Sequence, residues 1–128
     1  MELPPIAGTL LERLGLEMVE ASPGRVVARM PVAGNTQPFG YLHGGATAAL
    51  CETVASIGAF LAAGTDRAAF GIELSVNHLR SVREGWVTAI AEPIHDGSTT
   101  AVWDVRVEDA SGSCIAVSRV TLAIREHR

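Results

Sequence analysis

The sequence predicts an α+β fold in which one antiparallel sheet curls around a single long helix. Three observations predict it. Residues 46–63, ATAALCETVASIGAFLAA, form an almost wholly apolar run of helical length. Apolar runs of strand length, bounded by turn signals, account for two strands before that run and four after it. A helix that is apolar all round must be buried in protein, and a single sheet achieves this only by wrapping it.

The elements follow in order. Residues 3–14 carry Ile6, Leu10, Leu11 and Leu14 at helical spacing behind Pro4 and Pro5, and predict a short amphipathic helix. Strands over 16–21 and 25–32 flank Ser22-Pro23-Gly24, a turn signal, and predict a hairpin. Residues 33–42, AGNTQPFGYL, read as a loop. His43-Gly44-Gly45 leads into the long helix at 45–63, and Gly64-Thr65-Asp66 ends it. Residues 69–82 alternate, with Phe70, Ile72, Leu74, Val76, His78 and Arg80 on one face and Glu73, Ser75 and Asn77 on the other. Turns at Arg83-Glu84-Gly85, His95-Asp96-Gly97 and 109–112 separate strands over 86–94, 99–108 and 114–125. A sheet that ends in an exposed strand favours pairing with a second subunit.

Composition narrows the function classes. At 128 residues, 48% hydrophobic and 19% charged, the chain has the size of one ordinary domain, 1–128, and is neither collagen, coiled coil nor disordered tail. Ten basic residues, all Arg, stand against fourteen acidic ones, for a net charge of −4. Nucleic acid is therefore not an expected partner, whereas a local basic patch could still hold a phosphorylated small molecule. Cys51 and Cys114 lie in apolar stretches, with no CxxC or Cys/His cluster, so no metal site is expected. MELPPIAG lacks the basic and apolar regions of a signal peptide, and a cytoplasmic protein with reduced thiols is the expectation. Residues 46–63 fall short of the about 20 apolar residues that span a bilayer. They also carry Glu52, which costs roughly 2.5–3.5 kcal/mol in lipid on insertion scales, so no membrane association is expected.

A carboxylate in the middle of a buried helix is the first hint of chemistry. At the helix start, backbone N–H groups lack internal partners and the dipole is positive. Gly44 and Gly45 let a ligand approach them, so this place can hold a carbonyl that becomes an oxyanion, or the glycines serve only the turn. Glu52 follows Gly45 by seven residues and Ser56 follows Glu52 by four, which puts all three on one helix face. A carboxylate among apolar neighbours is suited to act as base or nucleophile; the alternative is a structural pair with an arginine. Gly45 and Glu52 are about 10 Å apart along the axis. One reacting carbonyl must lie near 3 Å from each group that acts on it, so two antiparallel helices in a dimer would have to share each site.

The segment GYLHGGATAALCETVAS resembles the hotdog-fold acyl-CoA thioesterases. The likeness is to the PaaI-like group with a catalytic Glu on the central helix. That group includes one type of 4-hydroxybenzoyl-CoA thioesterase and the bacterial thioesterases of menaquinone and enterobactin biosynthesis. It extends through GIELSVNHLRSVREG and the PIHDG turn to SRVTLAI, covering about residues 10–125. It implies a hotdog fold and hydrolysis of an aryl- or medium-chain acyl-CoA, with coenzyme A as part of the substrate and no cofactor. It implies Glu52 as nucleophile or general base, and the Gly44 N–H, beside Gly45, as the donor that polarises the carbonyl. Gln37 and His43 would serve the same acyl end from the opposite subunit, Ser56 would place water or substrate, and His78 would line the acyl pocket. The resemblance also implies a homodimer with shared sites, and pairing of dimers into a homotetramer.

Coenzyme A needs cations and donors for its phosphates. Arg80 and Arg83 flank the strand bearing His78, and Gly97, Ser98 and Thr99 form the turn that matches the nucleotide-binding turn of the family. Relatives often carry a basic residue where Ser98 stands, which is a departure here. Read without the resemblance, Gln37 is a loop residue, His43 a cap, and His78 a satisfied core histidine. On the same reading, Ser56 bonds back to its own helix, Glu73 is a rim residue and His95 an exposed turn residue. The alternative functions are a hotdog hydratase or dehydratase acting on acyl thioesters, and a non-catalytic acyl-CoA binding protein. An acyl-carrier protein could also replace coenzyme A as the carrier.

Overall fold

The apolar runs of the sequence become two helices and six strands in the computed structural model, which describes residues 3–64 and 66–126. In chain order these are α1 (Leu10–Leu14), β1 (Glu17–Ser22), β2 (Arg25–Pro31), α2 (Gly44–Ala63), β3 (Arg67–His78), β4 (Trp86–Asp96), β5 (Thr100–Glu108) and β6 (Cys114–Glu126). All strands pair antiparallel in the order β1-β2-β4-β5-β6-β3, so β1 and β3 are the edges. This is the expected antiparallel sheet around one long helix, the hotdog architecture. Thr65, part of the expected helix stop, lies outside the described residues.

Two element boundaries are corrected first. The N-terminal helix covers Leu10–Leu14 only, not 3–14. Pro5 disfavours the helical region at Pro4, Gly8 takes φ +78°, and Thr9 is extended as the N-cap. At the other end Gly15 (φ +77°) sits so close to β2 that a Cβ there would lie 2.9 Å from Pro31 Cγ. The second correction concerns β3, which runs from Arg67 to His78 and leaves Arg80 in the following loop. Its register against β6 shifts between Gly71 and Glu73, a bulge at Ile72. The bulge splits the predicted face. Ala69, Leu74 and Val76 pack on the core, while Phe70 and Ile72 are exposed.

Small residues let α2 sit close on the sheet. Thr47, Leu50, Cys51, Val54, Ala55, Gly58 and Ala59 are its buried face. Opposite them stands Trp103 of β5, fully buried, its indole N–H donating to Asp96 Oδ1 at 3.1 Å. Full burial of a side chain such as Leu50 or Val54 is worth about 1.5–3 kcal/mol, and the core lies between this face and the sheet. All-round burial of α2 was expected; instead Ala49, Glu52, Thr53, Ser56 and Ile57 form a half-buried stripe, partly roofed by α1. By length and composition α2 could cross a membrane, yet its inner face is already occupied by the sheet.

Candidate active site

The loop before α2 is held by one buried side chain. Asn35 donates from Nδ2 to the carbonyls of Leu14 and Pro31, both at 2.8 Å, and its own carbonyl accepts from His43 N–H at 2.8 Å. Leu42 N–H donates to Val82 O at 2.7 Å, tying the loop to the segment after β3. Gln37 Oε1 accepts from the N–H groups of Phe39 (2.7 Å) and Tyr41 (3.1 Å), folding the tip around Gly40 at φ +90°. The chain is thus delivered to the helix start in a fixed direction.

His43 is the N-cap of α2. Its backbone is extended and Nδ1 accepts from Gly45 N–H at 2.7 Å, satisfying one orphan donor. The Gly45 N–H is therefore engaged within the chain. The Gly44 N–H has no acceptor among the described residues. His78, at the exposed end of β3, lays its ring against this glycine: a Cβ on Gly44 would lie 2.9 Å from His78 Nε2. His78 is therefore no core histidine. Gln37, Tyr41, Gly44, Thr47, His78 and Arg80 help to line a cleft of about 360 Å³ here. The Arg83 guanidinium stacks on Tyr41 at 4.9 Å from the ring centre.

Glu52 and Ser56 occupy a different cleft, of about 380 Å³, with Leu10, Leu11, Ala49, Thr53 and Ile57. The carboxylate lies over Gly71 of β3, where a Cβ would approach Oε2 to 2.6 Å. It forms no ion pair with an arginine among the described residues. Ser56 makes no bond back to its helix; Thr53 does, donating from Oγ1 to Ala49 O at 2.7 Å. Gly44 and Glu52 are about 12 Å apart along α2, and the two clefts share no lining residue. A thioester carbonyl on the Gly44 N–H is thus out of reach of Glu52 of the same chain.

The expected nucleotide turn is elsewhere again. Gly97 and Ser98 line a cleft of about 330 Å³ with Ala62, Ala63, Arg67, Asp96 and Ile124, at the far end of α2. Gly97 N–H donates to Thr100 O at 2.9 Å, and Thr99 O accepts from Ile124 N–H at 2.9 Å and Arg125 Nη1 at 3.2 Å. Arg80 and Ser98 therefore do not meet within one chain, since α2 spans roughly 30 Å between them. Arg67, whose Nη2 donates to Ser98 O, is a cation at this turn that the sequence reading missed. It opens β3, two residues before the strand predicted from alternation. Glu73 is exposed, as a rim residue should be. His95 is exposed too, but it is not the expected turn residue: β4 runs on to Asp96 past a bulge at Ile94, and His95 pairs with Val102 of β5.

Cys51 is the remaining nucleophile type near the helix. Burial pushes its thiol up to about 12, against a smaller opposite effect of the Ser118 hydroxyl, so it is an inert core thiol. Among the described residues no three of His, Cys, Asp and Glu are grouped so as to hold a metal ion.

Comparison with known proteins gives this geometry a context. The model of the family described as Thioesterase superfamily matches residues 39–116, which include Gly44, Glu52 and His78. The chain is 54% identical over 118 residues to "Putative esterase ComA2" of Bacillus subtilis (strain 168), covering 91% of this chain and 94% of that protein. It is 42% identical over 120 residues to the 1,4-dihydroxy-2-naphthoyl-CoA hydrolase of Listeria monocytogenes, covering 93% and 98%. Among solved structures, thioesterase HI1161 from Haemophilus influenzae superposes with a TM-score of 0.91 at 35% identity, over 94% of this chain and 85% of that one.

Proposed function

This chain belongs to the Thioesterase superfamily and is a thioester hydrolase; on that premise we propose that it cleaves an aryl- or medium-chain acyl-CoA at a site shared between two subunits. The observation that carries this reading is the separation of the Gly44 and Glu52 clefts along one helix. In a homodimer with antiparallel α2 helices, the helix start of one subunit faces Glu52 of the other. The β3 edge, twelve residues long, offers a strand for such pairing. Dimers then pair into a tetramer.

The carbonyl oxygen lies on the free Gly44 N–H, where negative charge developing in the transition state meets a fixed donor and the helix dipole. Glu52 acts in one of two ways. It takes a proton from a water whose oxygen attacks the carbonyl carbon, or its own oxygen attacks and water then hydrolyses the resulting anhydride. Either way the C–S bond breaks, the thiolate of coenzyme A leaves and gains a proton, and the free acid is released. Gln37, whose amide nitrogen has no partner among the described residues, and His78 border the polarised carbonyl, and Ser56 positions the attacking group. Arg80 and Arg83 of one subunit and the 97–99 turn hold the phosphates. The reaction needs no cofactor, and this reading places the enzyme in the cytoplasm, where Cys51 and Cys114 stay free.

Thiol release from a panel of acyl-CoAs tests the reading. Glu52→Gln keeps the shape and removes the charge, and its turnover falls about a hundredfold or more with the fold intact. Mixing that variant with Gly44→Val restores activity, because the mixed dimer rebuilds one complete site. Normal turnover by Glu52→Gln removes Glu52 from the mechanism, and a mixture as inactive as its parents removes the shared site.

A further inference from the structure

A hydroxyl on a helix has a usual outlet, the carbonyl one turn back. Thr53 takes it, donating to Ala49 O. Thr47, on the same helix, does not. It is only 2% exposed, yet its hydroxyl has no partner among the described residues. The carbonyl one turn back, that of His43, already accepts from Ala46 N–H at 3.0 Å and from Thr47 N–H at 3.2 Å. Two carbonyls of the surrounding wall are engaged as well. Val82 O accepts from Leu42 N–H at 2.7 Å, and Ile115 O accepts from the N–H groups of Leu79 and Arg80 at 2.7 and 3.2 Å. A hydroxyl buried without a partner is costly, so its place in the fold calls for a partner from outside the chain. Thr47 lines the cleft that also holds Gly44, Gln37 and His78. It follows Gly44 by three residues, about 4.5 Å along the axis, and helical side chains lean toward the N-terminus. That lean carries the threonine side chain toward the turn with the free Gly44 N–H.

We propose that the Thr47 hydroxyl is the second donor to the thioester carbonyl, completing with the Gly44 N–H a two-point site for the oxyanion. The proposal rests on the thioesterase reading, which puts the carbonyl at Gly44. A carbonyl oxygen has two lone pairs, one for each donor. As the attacking oxygen adds to the carbonyl carbon, the C=O electron pair moves onto the carbonyl oxygen and both hydrogen bonds strengthen. The hydroxyl keeps its proton throughout. When the C=O bond re-forms, the C–S bond breaks and its electron pair leaves on sulfur. A bond that strengthens as charge develops acts on kcat, with little effect on KM.

Two substitutions test this, because they pull stability and turnover in opposite directions. Thr47→Val keeps the shape and removes the hydroxyl that folding leaves unpartnered. Its urea midpoint is expected to hold or rise, while kcat for benzoyl- or octanoyl-CoA falls about a hundredfold at unchanged KM. Thr47→Ser keeps the hydroxyl and loses a buried methyl, so its midpoint falls while kcat stays near that of wild type. The carbonyl also gives a readout without turnover. Octanoyl-CoA isotope-labelled at the carbonyl is bound to Glu52→Gln, and its infrared C=O band is recorded. Adding Thr47→Val in that background is expected to move the band to higher frequency. The assignment is overturned by a Thr47→Val enzyme that turns over like wild type, by a Thr47→Ser enzyme as slow as Thr47→Val, or by a band that does not move. A Thr47→Val protein less stable than wild type shows the hydroxyl bonded within the chain and overturns it too. A band that moves, in a protein whose wild type releases no thiol, overturns the hydrolase reading and leaves Thr47 as the carbonyl's donor. A thioester that binds neither protein overturns both.

Discussion

Two glycines, one on each side of α2, make contacts that look alike and serve opposite ends. Gly58 lies on the inner face under the Trp103 ring, where a Cβ would come within 2.4 Å of Cη2. Gly71 lies on β3 under the Glu52 carboxylate, where a Cβ would come within 2.6 Å of Oε2. Trp103 is fully buried between helix and sheet, so nothing on the inner side can give way. The carboxylate is the far end of a flexible, half-buried side chain, so on the other side the charged group itself gives way. One glycine preserves the packing, and the other preserves the place of the acid.

Substitutions at the two positions sharpen that contrast, the larger effect first. Gly58→Ala removes a helix glycine, a gain of about 0.5–1 kcal/mol. It also overpacks against an immovable ring, a cost of about 1–3 kcal/mol, and the cost wins. Urea denaturation is expected to show the midpoint falling at unchanged slope; a variant more stable than wild type breaks the comparison. Gly71→Ala displaces the carboxylate instead. Thiol release should drop about tenfold, equivalent to about 1.4 kcal/mol of barrier, with the thermal midpoint held. A loss of stability with kcat intact would place Gly71 with Gly58.

The smallest expected effect is at the start of the same helix. His43→Ala deletes the cap on Gly45 N–H and should cost about 1 kcal/mol of stability, which His43→Asn recovers by restoring an acceptor. Thermal melts of both variants check the cap, and kcat measured beside them separates capping from direct work on substrate. A hundredfold fall in kcat for His43→Asn at full stability assigns the ring to the reaction.

The sequence made the centre of the molecule legible and its connections less so. The helix was readable because eighteen residues with one interior carboxylate leave few alternatives, and the glycine pair fixed where it begins. The distance between Gly45 and Glu52 follows from helical rise alone, which is why the sequence already calls for more than one chain to bring the helix start to the carboxylate. The bulge at Ile72 was hidden because an inserted residue leaves alternation intact on paper while turning Phe70 to solvent; Gly71 was the one local sign of it. The placement of His78 against Gly44 depends on strand pairing far along the chain, so the residue read equally well as core. Asn35 looked like any turn residue, and its hold on Leu14, Pro31 and His43 exists only once three segments have met. Helical spacing over 3–14 hides Gly8, whose positive φ keeps the helix from starting before Leu10.

The hold of Asn35 on its surroundings has a chemical consequence. Its side-chain amide bridges the end of α1 at Leu14 to the end of β2 at Pro31, and its backbone carbonyl receives the His43 N–H at the start of α2. A carboxylate has the same outline as this amide but no N–H to offer the two carbonyls. Hydrolysis of a single amide would therefore turn a clasp into a repulsion at the point where the long helix is launched.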